Sequence, residues 1–252
     1  MFNIEVLVST LNDGLLGITI DSSLRYTIVH QISKPENLNK YDAFVEKLDN
    51  VNYVRSFDTG LSKSRNLALE NAIGDFLWIM DDDVNIYPDA YEKLNEKIEV
   101  YPDVDMFILN HSSSGESEKN DVKERLLHWK DIASISSIDM LVKRSSLGMI
   151  RFDEELGLGT PYPSGEEYIF SSDFLKRKLK IMKFKEVYSY HPPITSGMDF
   201  FSTPNKLKAK KIMFSRAHGS MFGNFLYIAF LLKKLHIIIK NKAIKNVFLS
   251  FN

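Results

Sequence analysis

The stretch GLSKSRNLALENAIGDFLWIMDDDVNIYPDAY, residues 60–91, decides the fold. Its centre, Phe76-Leu77-Trp78-Ile79-Met80, is continuously apolar, the pattern of a strand buried on both faces of a sheet. Ahead of it, residues 62–73 predict a helix, with Ser62 able to cap its start and Gly74 standing where helices often stop. Behind it, residues 89–100 predict a second helix. Working outward, residues 4–8 predict a strand that enters a polar turn, Ser9-Thr10-Leu11-Asn12-Asp13-Gly14. Residues 26–30, 52–54, 106–109, 139–143 and 181–190 predict further strands, and residues 111–121 a polar loop. Strands alternating with helices predict an α/β fold, a mostly parallel central sheet flanked by helices.

Composition bounds the chemistry. The 252 residues contain no Cys, which excludes disulfides, thiolate metal sites and a Cys nucleophile. The net charge of -1 hides a division. Residues 1–204 hold 22 Lys and Arg against all 33 acids, a net -11, whereas residues 205–252 hold ten Lys and Arg and no acid. The expected organisation is one acidic domain over 1–204, with halves at about 1–110 and 111–204, followed by a basic, apolar helical tail over 205–252. The N-terminus lacks the basic region of a signal peptide, and no apolar run reaches the ~18 residues that span a bilayer.

Asp81-Asp82-Asp83 follows the buried strand directly. In open α/β sheets ligands bind beyond the carboxyl ends of the strands. Three adjacent carboxylates there repel one another unless a cation joins them. Asp81 and Asp83, two residues apart, suit a hard divalent cation, Mg²⁺ or Mn²⁺, with positions left for phosphate oxygens. A helix start with Ser62, Lys63 and Arg65 beside it is a ready anion site. Asp58, just before the Gly60 turn, is a further candidate for a nucleotide pocket. Each block also has a plain alternative, a solvated acidic turn and an ordinary capped helix.

In tandem, the two blocks resemble the core signature of glycosyltransferase family 2, whose members have the GT-A fold. There a Gly-x-Ser-x-(Ala/Ser)-Arg-Asn helix leads through Gly-Asp into a buried strand ending in Asp-x-Asp. The resemblance implies that Asp83 binds a metal bridging the donor diphosphate. It implies that Asp81 contacts the ribose or a metal-bound water, and that Arg65 lies near the nucleotide. VLVSTLND, residues 6–13, resembles the family's first strand and turn, which places Thr10 and Asn12 near the base or ribose. The second strand departs from the family's Asp-rich turn and runs Val29-His30-Gln31-Ile32-Ser33, so Gln31 takes the position of a base or ribose contact.

Further on, FDEELGLGTPYPSGEEYIF, residues 152–170, resembles the Gly-rich acceptor loop and the Glu-Asp that opens a helix. By position Glu167 matches the catalytic Asp, with Glu166 the close competitor. Such a base would take a proton from the acceptor hydroxyl in an inverting transfer. A late His often completes the metal site in GT-A enzymes, and His191 stands at a predicted strand end before two prolines.

The tail mixes Lys with Leu, Ile, Phe and Met, as helices lying in a membrane interface do. No nucleic-acid motif accompanies its charge. The whole implies a transferase moving a sugar from a nucleotide-sugar, a UDP-sugar, to a saccharide or lipid-linked saccharide. The implied setting is surface polysaccharide synthesis, capsule or lipopolysaccharide, at the cytoplasmic face of the membrane. Two other classes stay open: a haloacid-dehalogenase-like phosphatase with Asp81 as nucleophile, and a non-catalytic membrane-surface module.

Overall fold

The computed structural model describes residues 1–114, 123–193 and 199–251. Most of the predicted polar loop, from residue 115 on, therefore lies outside the described residues, as does the turn that follows Pro193.

The decisive run forms β4 (Phe76–Asp81), buried until its last residue. Its side chains alternate between two cores. Phe76, Trp78 and Met80 enter one, and Leu77 and Ile79 the other. This two-sided burial is why the run carries no polar residue, and each such side chain contributes about 1.5–3 kcal/mol. β1 (Ile4–Leu11) and β2 (Arg25–Gln31) repeat the pattern. Glu5 on β1 is a buried carboxylate between them. Its carboxylate accepts from Thr27 Oγ1 at 2.6 Å and from the Gly74 amide at 2.6 Å, so its lone pairs are met.

The remaining elements are α1 (Leu38–Val45), β3 (Val51–Ser56), α2 (Leu61–Asn71), β5 (Asn85–Ile86), α3 (Ala90–Val100), β6 (Met106–Ser112), β7 (Arg125–Leu126), β8 (Met140–Lys143), α4 (Arg144–Leu147), α5 (Glu166–Lys176) and β9 (Ile181–Tyr190). Within one sheet the order is β3-β2-β1-β4-β8-β6-β9-β5, with β7 paired to β9. β3, β2, β1 and β4 are parallel. β8 lies antiparallel between β4 and β6, while β6 and β9 are again parallel. Because β2 and β4 flank β1 in parallel, their carboxyl ends meet at one edge. The register sets Ser9 opposite Asp81 and Leu11 opposite Gln31. Chain direction alone thus gathers three of the predicted site segments.

Four helices follow: α6 (Pro204–His218), α7 (Ser220–Lys233), α8 (Leu235–Lys240) and α9 (Ile244–Leu249). Thr203 caps α6 by accepting from the Lys206 amide, and Pro204 fits the first turn. They do not form one surface. α6 sends Met213 and Ala217 into the core that contains Phe170 and Phe174 of α5. α7 crosses α6 at Gly223, where a Cβ would stand 2.4 Å from the Ser215 Cα, so only glycine admits that approach. Tyr227, Leu231 and Ile238 then close a small core of their own.

Candidate active site

A cleft of about 730 Å³ opens where β1, β2 and β4 end. That volume is in the range of small-molecule sites. Ser9–Leu11, Gln31 and Asp81–Asp83 line it from the strand ends. Thr59–Leu61 and Arg65 line it from the start of α2. Residues 132–137 and 163–168, His191–Pro193 and Lys210 of α6 complete the wall.

Arg65 is the hub. Its side chain is 2% exposed. Nη2 donates to Asp81 Oδ1 at 3.1 Å and to Ser137 Oγ at 2.6 Å. Nη1 donates to Glu166 Oε1 at 3.2 Å and stands 3.8 Å from Glu167 Oε1. One guanidinium therefore fixes β4, α5 and the loop at Ser137 together. The Arg-Asn of the sequence signature continues this at Asn66. Its side chain donates to the Phe152 carbonyl and accepts from the Phe152 amide, tying α2 to the approach of the Gly-rich loop.

That loop brings the two Glu residues in. Gly165 has φ +108°, which a side chain would strain, and a Cβ there would meet Met213 at 2.9 Å. Glycine at this position lets α5 begin against α6. Glu166 is buried, 4% exposed, beneath Arg65, whereas the Glu167 side chain is 25% exposed toward the cleft. Burial first, and the Glu166 charge second, push Glu167 up to about 8, and Arg65 pulls the other way.

The acidic triplet divides its work. Asp82 turns inward and accepts from Thr10 Oγ1 at 2.5 Å, and burial raises its pKa. Asp81 faces Arg65. Asp83, 53% exposed, stands 3.2 Å from His191 Nε2. The other nitrogen of His191 faces the Pro192 carbonyl, an acceptor, so the hydrogen belongs on Nδ1. Nε2 and the Asp83 carboxylate are then both electron-pair donors aimed at each other, a donor set that fits a shared divalent cation. Among the described residues no three Asp, Glu or His side chains converge as a ready cage. The reason within the predicted triad is that Asp81 is engaged by Arg65.

The other predicted residues fall as follows. Thr10 lines the cleft and holds Asp82. Gln31 lines it too, and its Oε1 accepts from the Gly60 amide at 2.7 Å, which fixes the turn into α2. Asn12 lies off the wall, exchanging hydrogen bonds with Ser33. Asp58 is exposed off the wall, its amide donating to Ser56 Oγ. Three contributors are absent from the sequence reading. Ser137 accepts from Arg65. His111 Nδ1 lies 2.9 Å from Asp139 Oδ1, which raises the His111 pKa, and its ring lies 5.8 Å from that of His191. Lys210 arrives from the tail. A Ser, a His at the end of β6 and one Lys among the tail's nine carry no local pattern to find them by.

The sheet, with its acidic strand end and the Glu pair held by one Arg, has the arrangement of a GT-A fold. The model of glycosyl transferase family 2 matches residues 22–157, more than half of the chain, and the protein belongs to that family. The match covers Arg65 and Asp81–Asp83; Glu166, Glu167, His191 and Lys210 lie beyond it. Membership removes the phosphatase alternative. No curated protein sequence matches the chain. Among solved structures it is similar to residues 1–349 of TarS from S. aureus in complex with UDP-GlcNAc. The TM-score is 0.61 at 17% identity, covering 93% of this chain and 73% of that one. It is also similar to the mannosyltransferase PcManGT from Pyrobaculum calidifontis in complex with GDP-Man and Mn²⁺. There the TM-score is 0.57 at 11% identity, covering 98% and 85%. At such identities the likeness establishes the fold.

Proposed function

We propose that the cleft binds a nucleotide-sugar, a UDP-sugar, and transfers its sugar with inversion to a hydroxyl of a saccharide or lipid-linked saccharide. The observation that carries this reading is the shared guanidinium: Arg65 ties the acidic strand end to a Glu pair of which one member opens to the cleft. The bound ligands of the two structural neighbours support a nucleotide-sugar as the donor class. Asp83 and His191, with Asp81 beside them, would hold Mn²⁺ or Mg²⁺, which when bound offsets the charge of a departing diphosphate. Thr10 and Asp82, bonded to each other, would shape the nucleotide end. Glu167 is the base, because of the two Glu residues in the cleft wall its side chain is the more exposed, while Glu166 commits Oε1 to Arg65. Its Oε takes the acceptor hydroxyl proton as that oxygen attacks the anomeric carbon.

A thermal-shift screen of nucleotide-sugars with and without Mn²⁺ tests the reading. The expected result is a metal-dependent rise in melting temperature for a uridine donor. No rise with any nucleotide-sugar, together with no transfer or hydrolysis, would leave the chain as a non-catalytic member of its fold.

The tail supports docking on an anionic membrane surface through α7–α9, which suits a lipid-linked acceptor and surface polysaccharide synthesis at the cytoplasmic face. Met221, Phe222, Phe225, Ile228 and Leu232 are all exposed on α7, and Phe248 on α9 is 71% exposed. Lys233, Lys240, Lys242 and Lys245 are exposed among them. Each Lys near anionic lipid contributes about 1 kcal/mol. Among the described residues no helix is long and apolar enough to cross a membrane. Vesicles containing phosphatidylglycerol should sediment the protein in a salt-sensitive manner, and changing Met221, Phe222 and Phe225 together to Ser should abolish this. Unchanged sedimentation of the triple variant would overturn the membrane role.

A further inference from the structure

The charges around the Glu pair do not balance among α2, β4 and α5. Asp81, Glu166 and Glu167 stand within 3.1, 3.2 and 3.8 Å of one guanidinium. A single positive charge serves three carboxylates. Glu166 Oε2 is buried and has no hydrogen-bond partner, so no neutral donor relieves the excess there. Ionising all three calls for a second cation, whose field acts strongly because little water screens it.

The second cation lies 43 residues after Glu167, on α6. Lys210 lines the same cleft as Gly165–Tyr168. Its side chain is mostly buried. Among the described residues its ammonium makes no hydrogen bond and no ion pair. It differs in this respect from two neighbours on α6, since Lys206 pairs with Asp199 and Arg216 with Asp153 and Glu155. Met213, one turn on, packs against the start of α5, so the helix that carries Lys210 is pinned to the helix that carries the Glu pair.

We infer that Lys210 is a positioning residue for Glu167: its charge, on the same cleft wall, favours the ionised form of the base against burial and Glu166, and α6 is thereby part of the catalytic centre. The groups that face Glu167 are Arg65 from α2, Glu166 from its own helix and Lys210 from α6, with Asp81 behind Arg65. The direction of each is consistent: burial and Glu166 oppose the ionised carboxyl, and Arg65 and Lys210 favour it. Burial likewise lowers the Lys210 pKa while the two Glu charges draw it back.

The consequence for rate rests on Glu167 being the base, but the charge effect itself does not, and the test separates the two. Carbon-13 NMR of glutamate-labelled free protein follows the Glu167 carboxyl without substrate, with Glu167→Gln identifying its resonance. The expected result is a titration midpoint that rises in Lys210→Met and returns in Lys210→Arg. At a pH below the midpoint, a midpoint one pH higher leaves about a tenth of the ionised fraction. Lys210→Gln serves if the Met variant does not fold. An unmoved titration in the variants overturns the inference, including the case where only the acceptor KM rises, which would make Lys210 an acceptor contact instead. A moved titration with no transferase activity in the wild type would sink the proposed reaction and leave the inference standing.

Discussion

Glu167→Gln lowers kcat by about 10²–10⁴-fold, the usual contribution of a general base, and leaves nucleotide affinity unchanged. The amide keeps the shape of the carboxyl and cannot accept the acceptor's proton. The same variant removes a pH dependence. Burial and Glu166 push the Glu167 carboxyl up to about 8. The base is therefore protonated below that value in the free enzyme, and kcat/KM climbs with pH until Glu167 has ionised. The sign for stability is the opposite. Between its unfolded value near 4.5 and about 8, the folded chain holds a proton that the unfolded chain has released. Stability therefore falls as pH rises through that window. Melting curves from pH 5 to 8 should show the fall, and Glu167→Gln should flatten it. If Glu167→Gln is fully active and Glu166→Gln is inactive, the assignment of the base is reversed.

Arg65→Met carries the largest expected cost in stability. Arg65 and Glu166 are 2% and 4% exposed, so the substitution strands a buried carboxylate without its cation. Breaking such a pair costs about 3–5 kcal/mol. Asp81 and Ser137 lose their donor at the same time. Urea denaturation should show the midpoint falling with an unchanged slope. The double variant Arg65→Met, Glu166→Gln should recover part of the loss, since a neutral amide no longer needs the charge. A double variant as unstable as the two single losses added together would mean that the pair is not coupled.

The parts legible in the sequence are those written in consecutive residues. β4 follows from five apolar residues in a row, and β9 spans the predicted 181–190. The acidic triplet and Arg65 are legible because one helix and one strand carry them in a fixed order. Gln31 is legible as a candidate, but its engagement with Gly60 depends on how β2 meets the turn before α2. α1 escapes a sequence reading because it is only eight residues long and buries Tyr41 alone, with Leu38, Phe44 and Val45 partly covered on the same side. The antiparallel β8 between β4 and β6 is a matter of topology that no local pattern states. The tail hides the most. Its ten positive charges suggest one device, yet α6 packs in the core with Met213 and Ala217, and the exposed apolar side chains begin at Met221.

In the proposed site Asp83 and His191 would hold a metal on which nucleotide binding depends. Calorimetric titration of UDP into the wild type and Asp83→Ala, each with and without Mn²⁺, tests it most directly. Binding in the wild type should require Mn²⁺ and should be lost in Asp83→Ala while the melting temperature stays within a few degrees. Equal affinity in the two proteins with Mn²⁺ present would contradict it.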